Sequence, residues 1–325
     1  MHASARHTRH ATLLCVALAA LGGAAQAQEF PSKAIRIIVP YAAGGVPDPL
    51  TRTLGAMMSP LLGQPIVVEN KPGAGGVPAM QELIRSPADG YTLSYSDAGL
   101  WAVQPALRPG LYDPLKEFAP LGTAVMSIIF VVVREDLGVK SIQELIALAK
   151  SKPGQLSYGS SGSGSLHHLF MESLKAHYGF DMVHVPYKAA TQALQSLLAG
   201  DLGVTMASAA ASTPFAKSGK IRVILAATQQ RSQFAPDVPS MGDLKVETSY
   251  SGAIGYVAPG GTPRAVVDKL AAALGSVVKS DEFARRAESL FVEVDYRNPV
   301  QHLDLIRQDI PRYARAVKIS GAKSE

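Results

Sequence analysis

The chain has 325 residues, 47% of them hydrophobic by type and 18% charged, with 31 Lys and Arg against 26 Asp and Glu and a single cysteine. Such a length accommodates two average domains with separate cores. The net charge of +5 is spread thinly, with no basic run and no interleaving of basic and aromatic residues, which excludes a nucleic-acid binder, and one cysteine leaves no disulfide.

Residues 1–27 have the pattern of a secretory signal peptide. Arg6 and Arg9 form a charged start, Ala11 to Leu21 an apolar run, and Ala25-Gln-Ala27 a small-x-small cleavage site. The apolar run is too short to span a membrane. Leu14 before Cys15 is a poor match to a lipoprotein processing site. Cleavage after Ala27 would remove the cysteine and two of the excess positive charges, leaving +3 and no thiol. Export without cysteine suits a bacterial periplasm.

Ile35 to Val39 is a short β-branched run, which predicts a buried strand. Tyr41 to Val46 follows, with almost no side chain and two glycines, Gly44 and Gly45, so its backbone can lie close to a ligand. Asp48-Pro49 reads as a helix N-cap with proline in the first helical position. Strand, bare loop and helix start together suit a carboxylate or phosphate, because a helix N-terminus presents unpaired N–H groups. Gly-Gly also serves turn geometry alone, and that alternative stays open.

Ile66 to Glu69 is the next predicted strand, followed by the glycine-rich Asn70 to Gly76 and a helix from Pro78 to about Arg85. Tyr91 to Tyr95 is a strand with Ser96 and Asp97 at its carboxyl end, where open α/β sheets bind ligands. Ile128 to Val133 is a further strand, and Ser141 to Glu144 a capping box. A second bare loop, Tyr158-Gly-Ser-Ser-Gly-Ser-Gly-Ser165, follows a strand placed at Gln155 to Tyr158 and precedes a helix with Leu166, Leu169, Phe170 and Leu174 on one face. Two such loops facing each other would hold an anion from both sides.

Val183 to Pro186 is a strand leading to Tyr187 and Lys188, and Leu194, Leu197 and Leu198 mark a helix ended by Gly200. Val204 to Ala207, Val223 to Ala227 and Gly255 to Ala258 are further strands, with Ser208 after the first of them. Thr262-Pro263 reads as a cap and helix start, and Pro299 to Lys318 as a terminal helix whose Arg307, Arg312 and Arg315 form a solvated face. Repeated βα units imply α/β architecture with mixed, mostly parallel sheets.

Several motifs, taken in order, resemble one family. They are Pro40 to Gly45 with Asp48 and Arg52, Val67 to Gly76, Asp89 to Leu93, His184 to Lys188, Pro236 to Pro239 and Ala258 to Pro263. Together they resemble the Bug or TctC substrate-binding proteins of tripartite tricarboxylate transporters. The resemblance covers nearly all of the chain after residue 27. It implies a periplasmic-binding-protein, or Venus flytrap, fold of two α/β domains around a ligand cleft. Residues 28–125 with 252–325 would form one domain and 126–251 the other, with crossings near Leu121 to Phe130 and Ser249 to Gly255. It implies a non-enzymatic receptor, expected to be a monomer, that delivers a small carboxylate (an organic acid or acidic amino acid) to membrane permease subunits. In the family, the loops matching Tyr41 to Asp48 and Ser160 to Ser165 hold one carboxylate of the ligand, largely through main-chain N–H groups. The chain departs from the family pattern at Ala189, at Ala253, and at Pro47 and Pro49, which flank Asp48 and stiffen the first loop.

The candidate ligand-binding residues are Tyr41, Ala43, Gly44, Gly45, Asp48, Ser96, Asp97, Ser160, Ser161, Gly162, Ser163, Gly164, Ser165, Tyr187, Lys188, Ala207 and Ser208. Asp48 serves as a helix cap or as a ligand contact. Ser163 and Ser165 serve as caps or anion contacts, with anion contact favoured. Lys188 pairs with a ligand carboxylate or with an acidic side chain across the cleft. Asp97 would repel a carboxylate unless the ligand also carries a hydroxyl or ammonium. His167 and His168 diverge by about 100° on a helix, so they do not share a metal and are read as structural. No cofactor and no metal is expected. A serine hydrolase is disfavoured because no serine of the second loop has glycine two residues away on both sides, as a nucleophile elbow requires. A periplasmic sensor that docks on a signalling membrane protein would have the same fold and pocket.

Overall fold

The computed structural model describes residues 29–247 and 250–323. The expected leader with Cys15, and Ser249 at one expected crossing, lie outside the described residues. The chain opens with β1 (Ile35–Val39), α1 (Pro47–Leu62), β2 (Ile66–Asn70), α2 (Val77–Arg85) and β3 (Thr92–Asp97). A π-helical turn at Gly99–Val103 leads through α3 (Gln104–Leu107) and α4 (Pro114–Glu117) to β4 (Phe118–Ser127). Next come β5 (Ile129–Arg134), α5 (Ile142–Ser151), β6 (Ser157–Ser160), α6 (Leu166–Tyr178) and β7 (Val183–Pro186). They are followed by α7 (Ala190–Ala199), β8 (Val204–Ser208), α8 (Ala209–Lys217) and β9 (Ile221–Ala226). The chain ends with β10 (Ala253–Pro259), α9 (Arg264–Val278), α10 (Asp281–Ser289), β11 (Val292–Arg297) and α11 (Pro299–Ser320).

The strands form two sheets, in the orders β11-β4-β10-β3-β1-β2 and β7-β6-β8-β5-β9. Each is mixed, and the expectation of mostly parallel sheets needs correction. Of the nine pairings among the described residues, four are parallel and five antiparallel. The cause is the crossing of the chain. β4 runs toward the second sheet, and β5 continues away from the first after one intervening residue, Ile128. A strand that enters a sheet from that side runs against the strands that end there. Hence β5 is antiparallel to both β8 and β9, and β10, which returns, is antiparallel to both β3 and β4.

Alternation along the strands places helices on both faces. In β5, Val131 and Val133 pack into one cluster with Ile142, Leu145 and Phe170, while Phe130 and Val132 pack into another with Leu194 and Leu197. In the first sheet, Tyr256 meets α1 through a hydrogen bond between its hydroxyl and that of Thr51. Its neighbour Gly255 lies flat against His302 of α11, which leaves no room for a Cβ. The terminal helix α11 packs on β4 and the π-helical turn, and also on α6 from the second half of the molecule. No helix among the described residues is long and apolar enough to cross a membrane.

Three local expectations change. The helix after the first loop starts at Pro47, flanked by Val46 with no side-chain cap, so Asp48 is not its N-cap. Likewise Pro263, not Thr262, flanks α9, and the Thr262 hydroxyl bonds instead to the Pro259 carbonyl. β6 is displaced by two residues, which puts Ser160 inside the strand.

Candidate functional site

Strand register locates the loops. At its carboxyl end β3 places Asp97 opposite Ile254, and Ile254 lies opposite Val125 of β4. Ile129, just past the crossing, lies opposite Ser208, the last residue of β8. The carboxyl edges of both sheets therefore flank the crossing. The loops after β1, β3, β6, β7 and β8 all open toward it, because these strands share direction within their sheets.

The loop after β1 is exposed from Ala42 to Gly45. Gly44 sits at φ 89°, in the left-handed region, and a Cβ there would meet nothing within 4 Å. The loop is braced from behind. Tyr41 donates its hydroxyl to Asp97 at 2.7 Å, and Asn70 donates to the Tyr41 carbonyl at 3.2 Å. Asp48 is buried; its carboxylate accepts the Gly44 N–H at 3.3 Å and Arg52 Nε at 2.9 Å, and Arg52 also reaches Asn70. Burial works to raise the Asp48 pKa, but the Gly44 N–H, Asn70 and Arg52 together hold it below the ordinary carboxylate value. The start of α1 offers fewer donors than expected. Pro47 and Pro49 have no N–H, and the Asp48 N–H is bound to the Gly45 carbonyl.

Asp97 is half-buried and engaged. It accepts from Tyr41, from Tyr95 at 3.3 Å and from the Leu100 N–H at 3.3 Å. Burial raises its pKa, and these donors oppose the rise. Ser96 is fully buried on the strand before it.

The loop after β6 is organised by three histidines. Ser160 is fully buried; its Oγ accepts the Gly162 N–H at 3.1 Å and lies 2.7 Å from His184 Nε2. His167 Nδ1 lies 3.0 Å from Ser161 Oγ. His168 Nδ1 accepts the Gly164 N–H at 3.1 Å. Ser165 caps α6 by accepting the His168 N–H, and its own N–H is bound to the Gly162 carbonyl. The Gly162, Gly164 and Ser165 N–H groups are used within the loop and its helix start, and those of Ser161 and Ser163 are not. Ser163 is also exposed. Burial pushes His167 and His184 down to about 4, and it lowers His168 as well.

His168 is 5% exposed, and its ring is stacked on His184 at 3.9 Å. Sequence reasoning found neither this pair nor its bonds to the loop. The signal available was His184 within a predicted strand, with no indication of what it faced. Gly164 also touches across the molecule, since a Cβ on it would lie 2.9 Å from Leu107 of α3.

The remaining candidates are spread along the same edge. Tyr187 donates its hydroxyl to Ser196 at 2.7 Å, which ties it to α7. Lys188 is exposed, and its backbone N–H bonds to Gln192. Ala207 is buried, while Ser208 caps α8 by accepting the Ala211 N–H. Arg312, expected on a solvated face, instead pairs with the fully buried Asp309 at 2.6 Å and with Glu247. Among the described residues no cluster of His, Cys, Asp or Glu is placed to hold a metal.

Comparison with known proteins gives a consistent picture. A family described as the tripartite tricarboxylate transporter family receptor matches residues 50–321. A Cupriavidus necator UPF0065 protein is 33% identical over 325 residues, covering 100% of this chain and 99% of its own. The structure of MatC from Rhodopseudomonas palustris with bound malate is 29% identical with a TM-score of 0.75, covering 89% of this chain and 100% of its own. R. palustris Rpa4515 with adipate is also 29% identical, with a TM-score of 0.77, covering 91% of this chain and 99% of its own.

Proposed function

Because the chain belongs to the tripartite tricarboxylate transporter receptor family, we propose that it is a periplasmic solute-binding protein that captures a small dicarboxylate for membrane permease subunits. The observation that carries this reading is the division of donors in the Ser160 to Ser165 loop. The Gly162 and Gly164 N–H groups are tied to Ser160 and His168, while those of Ser161 and Ser163 have no partner within the loop. Such a row of oriented amides suits a carboxylate oxygen pair. Malate in MatC and adipate in Rpa4515 support the ligand class.

In this reading one carboxylate sits between Ser161 and Ser163 on one side and Ala43 and Gly45 on the other. Lys188, an exposed cation at the same edge, takes the second carboxylate. Asp48 and Asp97 brace the first loop and do not touch the anion. Residues 28–125 with 252–325 and residues 126–251 form the two closing domains of a monomer.

The test is a thermal-shift screen against mono-, di- and tricarboxylates, because a ligand of the native state raises the melting temperature by mass action. Malate and adipate are expected to stabilise, and their dimethyl esters are not. Calorimetry on Ser163→Ala should then show a loss of about 1–3 kcal/mol of binding, the value of a hydrogen bond to a charged group. Equal stabilisation by acids and esters would remove the carboxylate reading.

A further inference from the structure

We infer that His168 and His184 are positioning residues: as a neutral stacked pair they hold the Ser160 to Ser165 loop in its binding shape, and proton uptake by the pair releases the loop. This rests on the proposed role of that loop in ligand capture.

The geometry leaves His168 one protonation state. Its Nδ1 accepts the Gly164 N–H, so Nδ1 carries no proton and the neutral ring bears its proton on Nε2. A proton added at Nδ1 would face the Gly164 N–H, donor against donor, and the bond would break. His184 is coupled to the same loop at its other end. Its Nε2 meets Ser160 Oγ, which accepts the Gly162 N–H. The two rings lie 3.9 Å apart with 15° between their planes, and Tyr158 stacks beneath His184 at 5.0 Å. Charge on either ring disfavours charge on the other at this distance. Protonation of His168 therefore breaks its bond to Gly164, and protonation of either ring weakens the stack between them.

The charged groups around the pair come from four elements. Glu172 and Lys175 project from α6, with Lys175 bound to Glu172 at 2.8 Å and paired with Asp181 from the segment before β7. Tyr158, from β6, is engaged by Glu172 at 2.6 Å. Lys323, beyond α11, lines the same hollow as His168, Glu172 and His184, a space of about 520 Å³. His167 faces the far side of the loop, at Ser161. Glu172, the nearest carboxylate, is shared between Lys175 and the Tyr158 hydroxyl, which leaves it a weak partner for an imidazolium. The burial of the pair acts toward neutral rings, Glu172 opposes it, and Lys175 adds to it. The hollow gives protons a route in.

The experiment follows the loop and the ligand separately. In the ligand-free ¹⁵N-labelled protein, the Gly162 and Gly164 amide resonances and the His168 and His184 ring resonances are recorded from about pH 7.5 to about pH 4. The Gly164 amide is expected to lose its hydrogen-bonded shift in step with titration of the rings. In His168→Asn/His184→Gln, whose neutral amides replace the imidazole acceptor at Gly164 and the imidazole donor at Ser160 without titrating, the Gly164 amide should stay fixed. Calorimetry with adipate provides the second arm. The affinity ratio of the double variant to wild type should stay within about threefold near neutrality and rise at least about fivefold near pH 4, which cancels the ligand's own titration. His168→Leu, which keeps bulk without an acceptor, should bind weakly at every pH. A Gly164 amide that stays put while the rings titrate overturns the inference, as does a protein that unfolds before either ring takes a proton. Absence of adipate binding at neutral pH in wild type would count against the proposed function instead, and leaves the amide titration to decide the loop.

Discussion

The loop after β1 is held by charges, and the loop after β6 by neutral rings. Asp48, Arg52 and Asn70 brace the first, with Asp97 gripping Tyr41. Ser160, His167, His168 and His184 brace the second. Both present bare backbone at a sheet's carboxyl edge, yet Gly44 stands in open space and Gly164 is buried against Leu107. A loop that rests on ions tolerates substitution and fails only at strongly acidic pH. A loop packed on imidazoles is more rigid and fails earlier.

The largest expected effect separates the two by pH. His167 and His184 titrate near 4 when folded, against about 6.5 when unfolded, so the unfolded chain binds more protons in between. Stability is then fully present above about pH 6.5 and is lost as pH falls toward 4, by up to about 3 kcal/mol for buried His167 and by less for the more exposed His184, where solvent screens the charge. Asp48, held below its ordinary value, contributes stability above about pH 4 and loses it only below. Urea unfolding across this range should show a slope between pH 6.5 and 4 that shrinks in His167→Asn/His184→Gln. Fully buried His302, pushed down to about 3, leaves a residual slope in that variant. An unchanged slope in the variant would erase the distinction between the loops.

Second in size is a pair of glycine substitutions. Gly164→Val adds bulk at φ 73° with Leu107 only 2.9 Å from the new Cβ, so strain and collision combine. A loss of about 3 kcal/mol in stability is expected. Gly44→Ala meets no neighbour, so only the left-handed backbone opposes it, at about 1 kcal/mol. Equal costs at the two sites would mean that Leu107 yields freely and that the second loop is no stiffer than the first.

The sequence told one of these loops from its neighbours better than it told how either is held. β1 was readable because four β-branched apolar residues in a run of five, closed by Pro40, leave no other reading, and the observed strand has the expected ends. The strand before the second loop was placed two residues early. Ser157 to Ser160 has little intrinsic β character, and its ladders to β7 and β8 decide its position. β4 was missed because Pro120 and Gly122 interrupt its pattern, although both are accommodated by irregular pairing with β10. The histidine stack was out of reach for a different reason. His168 is on a helix and His184 on a strand, and only the packing of α6 over β6 and β7 brings the rings together. Asp48 was misplaced as a cap because an Asp-Pro pair fits that role locally. Pro47 had already started the helix one residue before it.

The smallest expected effect lies in the charged brace itself. Arg52 is half-exposed and joins Asp48, four residues before it on α1, to Asn70 at the end of β2. An ion pair one helical turn apart at a surface is worth about 0.3–0.5 kcal/mol, and salt screens it. Arg52→Ala should therefore cost about 0.5 kcal/mol or less in urea unfolding, and less still at high salt. Asp48 keeps its bond from the Gly44 N–H, so the loop retains its shape, and under the proposed function the affinity for a stabilising dicarboxylate should change by less than about twofold. If Arg52→Ala instead costs as much as removing the two titrating histidines, the first loop depends on one exposed cation. The contrast between a tolerant loop and a rigid one would then be reversed.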